Sequence, residues 1–568
     1  MSVRTVDPSR RPAAHSDRNL MQTDRTFTIV NANLYLGQGR WVRGQINVSD
    51  GLITDVTEDG SGTSPTGRVI DARGGSLLPG FQDAHVHPEH GGSGLLGVDL
   101  APVHDVTSYQ RLLRDYAEQH PHDEVIVGYG WYGDLFPGGM PNAAVLDEVI
   151  SDRPVIVNGH DGHSMWCNSR ALERAGITVT TPDPRGGRIV RDAAGRPLGT
   201  LLDAAMDLAA ALRPVKSLDG VKAALLAAQR RLNSVGVTAW ADAMVGVSEL
   251  GPDPFEAYLQ LAHEGALHSH VSLGLWWDRT RGLEQIEDFV RRRELVRDEP
   301  LLSASTVKIM QDGMVENHTA AMLAPYADAT DPAQAGESFI APHELNEISQ
   351  RLDAQNFDIH YHACGDRAVR ECLDAVEAVR RSGGGVGRRH QIAHLDVVSP
   401  ADLERFAELD VTANIQMLWA RRDKEMIERK LPQLGVARET AQFPFASLRR
   451  AGARLAAGSD WPVSDPNPLW AMHTGMLRTA PSADVHAIGD EALTHPLERQ
   501  EGIEFSAALD AYLTGAAWVN RLDDRGVLRP GLAADLVLLR QSLRTTPDLS
   551  TVEVVETFVD GVSVYRVE

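Results

Sequence analysis

The chain has 568 residues, of which 43% are hydrophobic and 23% charged, the make-up of an ordinary globular protein. A formal net charge of −23 argues against a nucleic-acid partner, and no apolar run approaches the length of a membrane span. Three cysteines, Cys167, Cys364 and Cys372, make no disulfide framework and suit a reducing, cytoplasmic setting.

In chain order, residues 1–25 are polar and Arg-rich with no apolar h-region, which predicts a disordered leader and not a secretory signal. Residues 26–77 then alternate as a small sheet. Thr28–Tyr35 leads to a turn, and Gln45–Val48 and Ile53–Val56 flank the Ser49-Asp50-Gly51 turn at hairpin spacing. The C-terminal part, 505–568, answers with Asp535–Leu539 and Val554–Val559 before an Asp560-Gly561 turn. Neither end is long enough for a core of its own, so the two are expected to pack as one β-sandwich domain.

Between them, residues 78–504 read as strands alternating with amphipathic helices, the pattern of a parallel sheet. The strand candidates are the run ending at His85 and His87, then Val237–Asp242, His270–Leu275, Ser305–Met310, Phe357–His362, His390–His394, Val411–Gln416 and Arg454–Asp460. Eight closes a (β/α)8 barrel, so the expected fold class is α/β, a distorted TIM barrel beside the sandwich. Residues 95–215, with strand candidates Val125–Gly128 and Pro154–Asn158, are expected to form a large insertion after barrel strand 1.

In such a barrel the C-terminal strand ends carry the chemistry. His85 and His87 lie on one face of the first strand, because side chains alternate. Lys308 lies in strand 4, His362 ends strand 5, His394 ends strand 6 and Asp460 ends strand 8. Each alone has a structural reading; converging on one rim, four imidazoles and a carboxylate suit Zn²⁺ or a similar divalent ion with a position left for water. Asp460 is then both ligand and general base, passing the water's proton to a leaving amine. Lys308 fits only as a carbamate bridging two ions, or as a substrate contact.

These segments resemble the amidohydrolase superfamily, and within it the amidohydrolase 3, YtcJ-like branch. Leu78-Pro-Gly-Phe-Gln-Asp-Ala-His-Val-His87 is similar to the strand-1 signature. His362-Ala-Cys-Gly-Asp-Arg-Ala-Val369, Arg389-His-Gln-Ile-Ala-His394 and Gly458-Ser-Asp-Trp-Pro-Val463 resemble the motifs of strands 5, 6 and 8. Within the insertion, Asp161–Ser169 and Pro182–Gly187 also match family segments. The resemblance implies one or two Zn²⁺ ions, carbamylation of Lys308 if two bind, and the ligand at His362 rather than His360. It further implies hydrolysis of a linear, non-peptide amide by metal-activated hydroxide, with substrates such as N-substituted formamides or N-acyl amines. Ala393, and Glu316-Asn317-His318, depart from the usual pattern and bear on the substrate, not on the ligands.

For the substrate side, His163 is the candidate for polarising the carbonyl. Trp131, Trp166, Trp419 and Trp461 are candidates for an apolar wall, and Glu316 and His318 for further contacts. Cys364 reads as a small buried residue rather than a ligand. The rivals are a cyclic amide, carbamate or ester hydrolase or a deaminase using the same site, and, from another class, a regulatory protein that retains the fold. The expected partner is a small amide, with neither nucleic acid nor membrane; a homodimer is compatible with the sequence.

Overall fold

The computed structural model describes residues 25–59, 64–184, 186–248, 251–331 and 333–567; all but the last residue of the expected leader lies outside these. Eight parallel strands form the central sheet in sequence order: Phe81–Val86, Val237–Val245, His270–Trp276, Leu302–Met310, Asp358–Ala363, Gln391–His394, Thr412–Ile415 and Leu455–Ala457. We call these barrel strands 1 to 8. The seam between strands 8 and 1 is closed just beyond their ends, where Asp460 N–H donates to the His85 carbonyl at 2.7 Å and His87 N–H to that of Trp461 at 2.8 Å.

The connecting helices bury one face each. In Asp366–Arg381 the buried positions Val369, Cys372, Leu373, Val376 and Val379 recur at three- and four-residue spacing, while Arg380 and Arg381 sit in the last turn, where cations suit the helix dipole. The strands are buried on both faces, so their apolar runs are nearly continuous.

The chain ends meet in one hydrogen-bonded sheet in the order Val562–Arg566, Val554–Val559, Leu536–Leu539, Ser76–Pro79, Phe27–Tyr35, Trp41–Ser49, Leu52–Glu58, with Arg68–Asp71 paired to Phe27–Tyr35. The sheet folds over a core of Phe27, Ile29, Leu34, Ile46, Val48, Leu536, Leu538 and Phe558, and Leu52 bridges to Ala533 across the fold. Its C-terminal share begins at Leu536 and not at residue 505. The segment from Phe505 to Val519 is helical and buries Ala508, Leu509, Tyr512, Leu513 and Ala516 against the barrel. Tyr512 meets Phe81, Asn520 Nδ2 donates to Gln82 Oε1, and Trp518 lies under the guanidinium groups of Arg389 and Arg454. Such a face has helical, not alternating, spacing, which is why this stretch closes the barrel base instead of joining the sheet.

The insertion builds a third sheet, ordered Gly187–Arg191, Pro197–Asp203, Ser164–Cys167, Val155–Gly159, Ile126–Trp131, Val98–Asp99, with the helix Val106–Gln119 packed on it. It carries His163 to the rim of the barrel. Among the described residues no helix is long and apolar enough to cross a membrane, and all three cysteines are free and buried.

Arg525 ties the end sheet to the barrel. Its guanidinium reaches Asp535 at 2.9 Å, Asp560 at 2.7 Å and the His270 ring, at the start of barrel strand 3, at 2.7 Å. Replacing Arg525 by Met would leave Asp535, 3% exposed, without its cation. The expected loss is on the order of 2–4 kcal/mol, reduced by the partial exposure of Asp560, and is read as a lower urea midpoint; an unchanged midpoint contradicts the clamp.

Candidate metal centre

Strand 1 ends at Val86, so His85 lies on its last turn of pleat and His87 just beyond, where the chain enters the helix Pro88–Leu96. Asp83 fixes this end by accepting N–H groups from His85 at 3.0 Å and from Ser459 at 2.9 Å. Gly458 is needed here: a Cβ on it would stand 2.6 Å from the His85 Cβ and 2.7 Å from its backbone nitrogen. Strand 8 can therefore lie directly against strand 1 and present Asp460 to both histidines.

His87 Nε2 is 2.9 Å and His85 Nε2 3.3 Å from Asp460 Oδ1, and His394 Nδ1 is 3.7 Å from Oδ2. His362 follows, its ring 4.2 Å from that of His394. Lys308, 2% exposed, lines the same cavity of about 40 Å³, as does His163. The sequence-predicted ligand set is thus brought together. His394 and Asp460 both hold left-handed backbone angles, φ 79° and 56°, a strain that concentrates at working sites.

The electrostatics suit a cation. Burial pushes His85, His362 and His394 well below the ordinary imidazole pKa, aided by the nearby Lys308 charge, so they stand neutral with lone pairs available. Burial alone would raise Asp460, but its side-chain hydrogen bond with His87 and the nearby positive charge of Lys308 hold it below the usual carboxylate range. Burial pushes Lys308 down to about 8. His85 Nε2, His87 Nδ1 and both ring nitrogens of His394 are buried with no hydrogen-bond partner among the described residues. Unmatched buried polar atoms are costly, and two of these, His85 Nε2 and His394 Nδ1, face Asp460, an arrangement that fits a divalent ion.

Several contributors were not foreseen. His360, one pleat below His362 and facing the same way, sits 2.9 Å from His85 Nδ1, leaving Nε2 to face Asp460. The contact fixes the orientation of the His85 ring. Asp312 accepts N–H groups from Cys364, Gly365 and Ala321 at 3.0, 2.8 and 2.9 Å and shapes the turn after strand 5. Burial still pushes its carboxyl up to about 8. Asp312, His362 and Cys364 form a second cluster of ligand-type atoms beside the first. His90, buried on the helix after strand 1, also lines the cavity. Nothing in local spacing marks these residues; their roles arise from neighbouring strands.

On the substrate side the expectations divide. His163 Nδ1 is held by Asp203 at 2.7 Å, and the His163 ring lies 5.8 Å from that of His362. Trp419 stacks flat on His394, 5.2 Å between centroids, and lines the cavity. Glu316 lies in an adjoining chamber, paired with Lys430. The others are corrections. Trp131 and Trp166 face the insertion's own core, their indole N–H groups spent on the Val157 and Asn142 carbonyls at 3.0 Å each. Trp461 packs over Gly91 and borders an outer cleft instead of the histidine cavity. His318 turns outward to Asp328 at 3.0 Å.

Comparison with known proteins agrees with this geometry. LONG AFTER FAR-RED 3 of Arabidopsis thaliana is 30% identical over 503 residues, 87% of this chain and 83% of that protein. A putative amidohydrolase, YtcJ, of Bacillus subtilis (strain 168) is 27% identical over 509 residues, 89% and 91% of the two chains. N-substituted formamide deformylase of Arthrobacter pascens is 26% identical over 580 aligned positions, 95% of this chain and 98% of that enzyme. Among solved structures, an uncharacterized metal-dependent hydrolase from Pyrococcus horikoshii OT3 superposes with a TM-score of 0.68 at 22% identity, covering 95% of this chain and 99% of that one. A model of the amidohydrolase family matches residues 68–565, and the chain belongs to that family.

Proposed function

We propose that the protein is a divalent-metal-dependent hydrolase of a linear, non-peptide amide, an N-substituted formamide or an N-acyl amine. The observation that carries this reading is the convergence of neutral, unpartnered imidazoles on the ionised Asp460 in a buried cavity. Likeness to the formamide deformylase over nearly the whole chain supports the substrate class. A divalent ion, zinc by ligand type, held by His85, His87, His362, His394 and Asp460, would polarise the amide carbonyl and acidify water.

The chain's own groups do the rest. Asp460, kept ionised, accepts a proton from water and delivers it to the departing nitrogen. His163, fixed through Nδ1 by Asp203, is placed to hold the carbonyl oxygen. Trp419, Met314 and Val463 wall the cavity and exclude bulk water. Lys308 with its pKa near 8 has a sizeable neutral fraction at physiological pH, the form that adds CO₂, so it can serve as a bridging carbamate where two ions bind.

Four outcomes are expected. Chelation and dialysis abolish amide hydrolysis and added zinc restores it; activity that survives complete metal removal contradicts the reading. Products are one amine and one acid, whereas a cyclic substrate yields a single fragment and a deaminase yields ammonia. Asp460→Asn keeps much of its metal by elemental analysis while kcat falls about 10²- to 10⁴-fold; near-normal kcat removes Asp460 from proton transfer. Lys308→Ala lowers activity, with partial rescue by short carboxylic acids; full activity without rescue excludes the bridging carbamate.

A further inference from the structure

The histidine cavity continues past Asp161, Met314, Trp419 and Val463, which also wall a second chamber of about 80 Å³. Its lining is amphipathic. Met314, Leu418 and Met426 supply apolar surface, while Glu316 and Lys430 lie in the charged wall.

That wall carries more negative than positive charge where Lys430 sits. The single ammonium is 2.8 Å from Glu316 Oε1 and 2.7 Å from Asp396 Oδ2, so one cation serves two carboxylates. The Glu316 side chain is 10% exposed and that of Asp396 is 0% exposed. Glu316 Oε2 and Asp396 Oδ1 have no hydrogen-bond partner among the described residues. The neighbouring cations are already engaged: Arg421 by Asp423 and Asp484, and Arg429 by Glu425, which also meets His160. A buried carboxylate with a free oxygen and half a counter-ion is stabilised by a positively charged donor from a ligand.

Resting on the amide-hydrolase reading, we propose that this chamber holds the nitrogen substituent of the substrate, a short alkyl chain ending in a primary ammonium, with Glu316 as its specificity-determining carboxylate. The chain would run along the methionines and Leu418 to its charged end. The nitrogen side is assigned because Val463 and Ser464, which line the chamber, follow Asp460 in the same loop. Asp460 is the group placed to meet the leaving nitrogen. A neutral alkyl tail of the same length would leave Glu316 Oε2 unmatched.

The test uses the zinc-loaded full-length protein with two formamides of equal chain length, N-(aminobutyl)formamide and N-pentylformamide. The expected kcat/KM ratio favours the amine by roughly 10- to 100-fold, and Glu316→Gln collapses that ratio. Gln keeps the volume and leaves Lys430 paired with Asp396; a thermal melt checks folding. Calorimetry with diaminobutane against 1-pentanol, a neutral chain of the same length, reads the chamber without turnover: the diamine binds about 10-fold tighter or more, and the advantage disappears in Glu316→Gln. Hydrolysis of both formamides at equal rates, with no preference for the diamine, overturns the chamber assignment and leaves the hydrolase reading standing. A Glu316-dependent diamine preference with neither formamide cleaved overturns the linear-amide reading and keeps the chamber.

Discussion

Two backbone hydrogen bonds across the barrel seam, Asp460 N–H to His85 and His87 N–H to Trp461, hold the rest of the site in place. They join the first and last strands, which are far apart in sequence, and thereby set one carboxylate against two imidazoles. Gly458 permits the approach, and Asp83 ties both sides together by accepting from His85 and Ser459. Strands 5 and 6 then add His362 and His394 through ordinary parallel register, Ala363 opposite His394. Loosening the seam would part Asp460 from both histidines while leaving most of the hydrophobic core untouched.

The site is costly as a piece of folded protein. Neutral, unpartnered imidazoles, a buried lysine and residues at φ 79° and 56° each oppose folding. A large barrel core, the end sheet clamped by Arg525 and the helices closing the base supply what offsets this. Donor atoms without partners among the described residues would be matched by a bound cation, which would couple metal affinity to folding stability. The second chamber repeats the arrangement on a smaller scale, with Lys430 shared between two acids and Glu316 left with an open oxygen.

Much of this was legible in the chain. The eight barrel strands stand out because each is an apolar run, and several end in a polar residue that a buried strand would otherwise avoid. His85, His87, Lys308, His362, His394 and Asp460 could be named from that rule together with their motifs. His360 and Asp312 could not, because their roles depend on which strand lies alongside. Trp131 and Trp166 are ambiguous in sequence for a related reason: an aromatic at a strand end near an active-site loop looks the same whether it faces a ligand or a helix such as Val106–Gln119. Position alone places residues 505–520 with the end sheet, although their buried face has the spacing of a helix. Glu316 carried little local signal, since its meaning comes from Lys430, more than a hundred residues later.

A divalent ion bound by this protein would sit on the barrel rim at Asp460, bounded by His85, His87 and His394. Crystals of the zinc-loaded protein measured at the zinc absorption edge test it most directly. An anomalous peak with nitrogen and oxygen donors from these residues at about 2.0–2.2 Å is expected. A peak bound instead through Cys364 sulfur, or at the His270–Asp535–Asp560 cluster with the rim empty, would contradict it.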